Sequence, residues 1–227
     1  MPADPRMPLR AVLFDLDGTV LDTAPDMVGA LNALRAEHDL APMPYDVVRA
    51  CVSHGAGRVV RAGFADAAPD QFAALQRRFL EIYAANLSHE THLFPGMDQV
   101  LRGLAERGLA SGIVTNKAAW LTEPLLEQLG LRGRFACVVS GDTVSERKPH
   151  PLPMLHAAKL VGFAPVECIY VGDAERDVQA AHAAGMAALV AAYGYLHAGE
   201  DWRSWGADAG LDVPVDLLPW LDRSGRL

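Results

Sequence analysis

At 227 residues the chain is long enough for one large domain, or for one domain carrying a smaller insertion, and a hydrophobic fraction of 51% provides for a sizeable core. Its formal charge of -8, from 20 basic and 28 acidic residues, argues against a nucleic-acid backbone or an anionic membrane as the main partner. A small phosphorylated metabolite remains open as a partner, because a local site can be positive on an acidic protein.

Met1 to Pro8 has no apolar signal core and reads as a loose tail. Leu9 to Phe14 reads as the first strand, a continuous apolar run suited to a parallel strand buried on both faces. It runs into Asp15-Leu16-Asp17-Gly18-Thr19. If the strand continued, Asp15 and Asp17 would point the same way. Gly18 lets the chain turn away at the strand's carboxyl end, where open α/β sheets bind ligands. Two close carboxylates repel each other unless a cation sits between them. Read alone, this stretch is an ordinary strand followed by an acidic turn.

From Leu21 to about Phe94 the texture is helical, with no convincing strand. Met27, Ala30, Leu31 and Leu34 make one apolar stripe; Phe72, Leu75, Phe79 and Tyr83 make another, both fit for the core of a bundle. Pro95-Gly96 breaks the chain. A helix is predicted over Met97 to Arg107, with Gly108 as its C-cap. Then come a strand at Ala110 to Thr115, a helix at Trp120 to Leu129 and a strand at Cys137 to Ser140. A helix at Leu152 to Val161 and a strand at Glu167 to Val171 follow. The last pair is a helix at Val178 to Ala184 and a strand at Ala187 to Ala191. This alternation predicts an α/β fold, a doubly wound parallel sheet, with residues 21–94 as an all-helical insertion. Cys51, Cys137 and Cys168 form no CxxC pair and read as free thiols of a reducing cytoplasm. No apolar run approaches the ~20 residues of a membrane span.

Four short patterns each follow a predicted strand: Asp15-Leu16-Asp17-Gly18-Thr19, Thr115-Asn116, Lys148-Pro149, and Gly172-Asp173-Ala174-Glu175-Arg176-Asp177. Each alone has a plain structural reading: a helix N-cap at Thr115, a solvated turn at Lys148, an acidic helix entry at Asp173. Their order at successive strand ends is the specific signal. In a doubly wound sheet all four converge at the carboxyl edge.

The ordered set resembles the haloacid dehalogenase superfamily of phosphotransferases, over Leu9 to at least Gly194. It is most similar to members with a helical cap after the first motif, such as phosphoglycolate phosphatases and β-phosphoglucomutases. The resemblance implies a Rossmann-like core at residues 9–20 and 95–227 and a cap at 21–94. It implies Asp15 as nucleophile, forming an aspartyl phosphate, and Asp17 as acid and then base. It implies Mg²⁺ held by Asp15, the backbone carbonyl of Asp17 and Asp173, with Asp177 farther out or acting through water. Thr115 and the amide of Asn116 would hold phosphoryl oxygens, and Lys148 would offset the charge on Asp15 and the phosphate. Lys117 reads either as a further phosphate contact or as an exposed lysine at a helix start. In the cap, Ser53-His54-Gly55-Ala56-Gly57-Arg58 reads as a loop leading into a helix. Arg58 is expected to clamp a substrate carboxylate or to be a surface arginine, and His54 is a further candidate. Glu175 and Arg176 would shape the entrance or be solvated.

The same resemblance weighs the rival chemistries. A dehalogenase lacks the metal and needs no carboxylate at Asp17. A phosphonate-cleaving relative needs a cap lysine, and Thr23 to Phe94 contains none. A mutase carries a histidine where this chain has Met27, and tends to lack a threonine matching Thr19. A binding module without activity predicts a lost motif residue, and none is lost. The expected activity is a Mg²⁺-dependent phosphatase acting as a monomer or homodimer. Its substrate is expected to be phosphoglycolate or N-acetylmuramic acid 6-phosphate. The Tyr193-Gly194-Tyr195-Leu196-His197 segment, with Trp202 and Trp205-Gly206-Ala207-Asp208, resembles phosphatases of the second kind. Alternatively the tryptophans cover a sheet edge.

Overall fold

The structure is a computed structural model that describes residues 7–197 and 199–227. The expected loose tail lies mostly at residues 1–6, outside the described residues. Strand β1 (Ala11–Phe14) is followed by a short strand β2 (Leu21–Asp22). Four helices come next: α1 (Ala24–Ala36), α2 (Tyr45–Arg49), α3 (Ala56–Gly63) and α4 (Pro69–Ala85). The chain returns through β3 (His92–Leu93) and α5 (Met97–Glu106) to β4 (Ala110–Val114), α6 (Ala119–Gln128) and β5 (Cys137–Val139). It continues through α7 (Leu152–Val161), β6 (Cys168–Gly172), α8 (Glu175–Ala184), β7 (Ala187–Ala191), β8 (Ala209–Leu211) and α9 (Leu217–Arg223).

Six strands form one parallel sheet in the order β5-β4-β1-β6-β7-β8. The chain lays β4 and β5 on one side of β1, then crosses to lay the rest on the other. The order in which strands are added therefore reverses beside β1, and a crevice opens there at the strands' carboxyl ends. Along β1, Val12 and Phe14 enter one core while Ala11 and Leu13 enter the core on the opposite face. Burial on both faces is why β1 reads as an unbroken apolar run. Fully burying Val12, Leu13 or Phe14 contributes about 1.5–3 kcal/mol of transfer free energy each.

Two stretches depart from expectation. Leu21–Asp22 and His92–Leu93 pair antiparallel, Leu21 opposite Leu93, where only helix was read. Two residues per strand are too few to show an alternation. Beyond β7, the strand Ala209–Leu211 extends the sheet, and Trp202 lies against it: a Cβ at Gly210 would come within 2.3 Å of its indole ring. Trp202 and Trp205 pack on the core of that face, in line with the edge-covering reading. Helix α8 begins at Glu175, three residues before the predicted start, because Asp177 Oδ2 accepts the Ala174 N–H at 3.1 Å and closes the first turn. Among the described residues, no helix is long and apolar enough to cross a membrane.

Candidate active site

Strand β1 ends at Phe14, so Asp15 and Asp17 are presented by the following turn and not by one pleated face. Both still line one cavity. The Asp15 N–H donates to Val171 O on β6 at 2.9 Å, and its Oδ1 accepts the Leu16 N–H at 2.7 Å. Gly18 turns the chain in a left-handed conformation, φ 82°. A Cβ there would lie 2.1 Å from Asp173 Oδ2, so both conformation and closeness require glycine.

Lys148 is buried beneath this turn, not solvated. Its Nζ stands 3.0 Å from Asp15 Oδ2 and 2.8 Å from Asp177 Oδ1, the latter an ion pair without an aligned hydrogen bond. It also donates to the Tyr170 hydroxyl at 2.8 Å, which donates onward to Val114 O at 2.6 Å. Asn116 fixes the lysine's backbone: its side chain donates to Lys148 O and accepts from Lys148 N, both at 3.0 Å. Thr115 is buried and lines the cavity, and its Oγ1 accepts the Lys117 N–H at 3.2 Å.

Asp15, Asp173 and Asp177 each bring an oxygen within 4.8 Å of the others. Asp177, expected farther out from the cation or acting through water, contributes an oxygen to this group while facing Lys148 and the Ala174 amide. Burial, with Asp15 and Asp177 adding to it, pushes the Asp173 carboxyl up to about 7. Burial also raises Asp15, against the pull of Lys148. Asp173 Oδ2 accepts from Ser53 Oγ at 2.6 Å and from Tyr195 N at 3.0 Å, while its Oδ1 is buried without a partner. Three carboxylates, only two of them paired with the one lysine, and the unpartnered Asp173 oxygen form a hard-oxygen donor set that fits a divalent cation of the Mg²⁺ type.

Asp17 is held on the other side. Its Oδ1 accepts from Thr23 Oγ1 at 2.7 Å and from Lys117 Nζ at 3.0 Å. Lys117 Nζ also donates to the Tyr83 hydroxyl of α4 at 2.8 Å. The side chain of Lys117 is only 6% exposed, which overturns the exposed-lysine reading. Burial pulls its pKa down, but Asp17 and Tyr83 outweigh that and hold it above the ordinary value.

The cavity measures about 510 Å³ and lies between the sheet's carboxyl edge and the inserted helices. Asp15, Asp17, Thr115, Asn116 and Lys117 line it from the sheet; Ser53, His54 and Tyr83 line it from the insertion. Arg58 is exposed and is not among the lining residues, although Val52 to Gly57 are. Helix α3 starts at Ala56, and Arg58 lies on its first turn. Arg147 and Arg176 line the cavity instead. Glu175 is exposed, whereas Arg176 donates to Ser53 O. His54 Nδ1 lies 3.4 Å from His197 Nε2, and burial, then Arg176 and His197, hold its pKa below the usual value.

Sequence reading missed the parts played by Tyr83 and Tyr170, taken as apolar positions of a stripe and a strand, and that of Tyr195, read only as part of a segment of family resemblance. A tyrosine at a core position is itself a signal, because its hydroxyl needs a partner when buried.

Comparison with known proteins gives a consistent result. A family model described as haloacid dehalogenase-like hydrolase matches residues 12–191. A phosphoglycolate phosphatase of Xanthomonas campestris pv. campestris (strain 8004) is 45% identical over 210 residues, 92% of this chain and 94% of that protein. An N-acetylmuramic acid 6-phosphate phosphatase of Pseudomonas putida is 39% identical over 217 residues, 95% of this chain and 97% of that protein. The crystal structure of a predicted phosphoglycolate phosphatase from Haemophilus somnus 129PT superposes with a TM-score of 0.84 at 27% identity, covering 93% of this chain and 97% of that one.

Proposed function

The chain belongs to the haloacid dehalogenase-like hydrolases and is a phosphoric monoester hydrolase, and from that premise we propose that it hydrolyses 2-phosphoglycolate with the help of Mg²⁺. The observation that carries the mechanism is the convergence of Asp15, Lys148, Asp173 and Asp177 at the end of β1.

The Asp15 carboxylate attacks phosphorus and the ester bond breaks, leaving an aspartyl phosphate. Asp17 gives its proton to the departing alkoxide oxygen. Asp17 then takes a proton from water as that water attacks the same phosphorus, which frees Asp15 and inorganic phosphate. Thr23 and Lys117 hold the Asp17 carboxylate in place between these steps. The Thr115 hydroxyl and the Asn116 main-chain amide are assigned to the transferring oxygens. Lys148 offsets the negative charge that gathers on Asp15 and the phosphoryl group. Asp15, the Asp17 carbonyl and Asp173 would hold Mg²⁺, with Asp177 beside them; when bound, the ion neutralises charge between carboxylate and phosphoryl oxygens. Residues 21–94 act as a cap that keeps bulk water from the reacting atoms. Arg147 and Arg176 take over the carboxylate-binding role expected of Arg58, with His54 at the same rim. Free buried thiols at Cys51, Cys137 and Cys168 fit a reducing cytoplasm. The working partner is the small metabolite itself, with neither nucleic acid nor membrane, and the chain acts as a monomer or homodimer.

A second substrate, N-acetylmuramic acid 6-phosphate, is favoured by one observation. A cavity of about 510 Å³ walled by Val52, Leu80, Trp120 and Leu121 is larger and more apolar than a two-carbon acid requires.

Steady-state phosphate release from phosphoglycolate, N-acetylmuramic acid 6-phosphate, glucose 1-phosphate and p-nitrophenyl phosphate, with and without Mg²⁺, decides the matter. One of the first two is expected to exceed the others in kcat/KM, with activity lost on chelation. Glucose 1-phosphate should give glucose and phosphate, not glucose 6-phosphate. Asp15→Asn is expected to lose roughly 10³-fold or more while keeping its circular dichroism. Equal, slow turnover of both leading substrates, or an active Asp15→Asn, would overturn the reading.

A further inference from the structure

We infer that Ser53 is a positioning residue that couples the helical insertion to cation binding, by holding the Asp173 carboxylate in the orientation that receives the ion. The inference rests on the cation reading of the Asp15, Asp173 and Asp177 cluster.

Ser53 sits on a single 3₁₀ turn, Val52–His54, between α2 and α3. It is 120 residues from Asp173 in sequence, yet its Oγ donates to Asp173 Oδ2 at 2.6 Å. Tyr195 N donates to the same oxygen at 3.0 Å. With Oδ2 taken by two donors, the carboxylate is fixed in rotation. Its other oxygen, Oδ1, is buried and unpartnered and is left as the donor for a cation. The turn is itself anchored from the sheet side, because Arg176 at the start of α8 donates to Ser53 O. The two hydrogen bonds run in opposite directions across one boundary: serine hydroxyl to core carboxylate, core guanidinium to serine carbonyl.

Without the Ser53 hydroxyl, Oδ2 keeps only the Tyr195 amide, and the carboxylate gains freedom that cation binding must then remove. Coupling of this kind is reciprocal. If the docked turn favours the ion, the bound ion favours the docked turn.

Two measurements on the full chain, without substrate, test this. Titration calorimetry with Mg²⁺ should show about three- to tenfold weaker binding for Ser53→Ala, the range expected for one lost hydrogen bond, and near wild-type binding for Ser53→Thr, which keeps the hydroxyl. Hydrogen exchange of the peptide spanning residues 52–57 should slow on adding Mg²⁺ in the wild type and in Ser53→Thr, but not in Ser53→Ala. Equal Mg²⁺ affinity in wild type and Ser53→Ala overturns the coupling and leaves the cation site standing. Weakening in both variants also overturns it, since packing and not the hydroxyl would then be responsible. A wild-type chain that binds no Mg²⁺ removes the cation reading and this inference together.

Discussion

Lys148 shows how a single residue ties the site to the fold. Its ammonium lies in the interior between Asp15 and Asp177, with the Tyr170 hydroxyl as a third contact. Removing one partner of a buried ion pair costs about 3–5 kcal/mol, because the other charge stays uncompensated. Lys148→Met is therefore expected to lower kcat by about 10²–10³-fold and to lower the melting temperature. Saturating Mg²⁺ should recover more of the lost melting temperature in the variant than it adds to the wild type, since the ion supplies the missing positive charge. Thermal unfolding with and without Mg²⁺ checks this; equal shifts in the two proteins would contradict it. At this scale Asp15, Lys148, Asp173 and Asp177 lie together and Asp17 lines the same cavity, and each was legible as a candidate because it ends or follows a strand whose place is set by its own apolar run. Of the two readings of Arg58, the surface arginine agrees with its exposed position, and the sequence alone did not choose between them. Which side of a short helix faces a cavity depends on how that helix is tilted, and no local pattern records the tilt.

Among the elements, the junction between the sheet and the inserted helices is held by Asp26 of α1. Its buried carboxylate accepts from Glu90 N, from Thr91 N and from Thr91 Oγ1, all at 2.7–3.1 Å. This fastens the start of α1 to the segment that returns through β3, next to the Leu21–Leu93 pair. Asp26→Ala leaves the two buried Thr91 donors and the Glu90 amide without this acceptor and is expected to destabilise the chain by about 2–4 kcal/mol. Urea denaturation should show a lower midpoint with an unchanged slope; a midpoint within error of the wild type would remove this role. Helix α7 and strand β7 coincide with the spans read from sequence, since each carries a full period of its own pattern. The β2–β3 ribbon and β8 were not legible. They are two or three residues long and exist only because a partner strand is already in place.

For the molecule as a whole, the three thiols report on how well the interior excludes water. Burial pushes the Cys137 thiol up to about 11 and the Cys168 thiol up to about 12 from an ordinary value of 9.0. Below pH 9 each is protonated in both the folded and the unfolded chain, so neither contributes a pH dependence. Between about 9 and 12 the unfolded thiols ionise while the folded ones hold their protons, so stability falls as pH rises through that window. The slope should not exceed about 1.4 kcal/mol per pH unit for each thiol. Denaturant midpoints measured from pH 8 to 11 should decline above 9. Iodoacetamide at pH 8 should leave Cys137 and Cys168 unmodified until denaturant is added.

The sequence by itself determined the alternation of β1, β4, β5, β6 and β7 with their helices, the helical texture of the stretch after the first strand, and the carboxylates and lysine that follow the strands. These follow from short-range rules: apolar periodicity, glycine and proline breaks, and polar residues just past an apolar strand. Only the tertiary structure decided that Ser53 holds Asp173, that Tyr83 and Lys117 meet Asp17, and that Arg147 and Arg176 line the cavity in place of Arg58. Apart from Lys117, the side chains in these contacts join the inserted helices to the sheet edge, or were selected by the packing angle of a helix or loop. Their energetics depend on burial and distance across the fold, and neither quantity is encoded within the span of a turn or a strand.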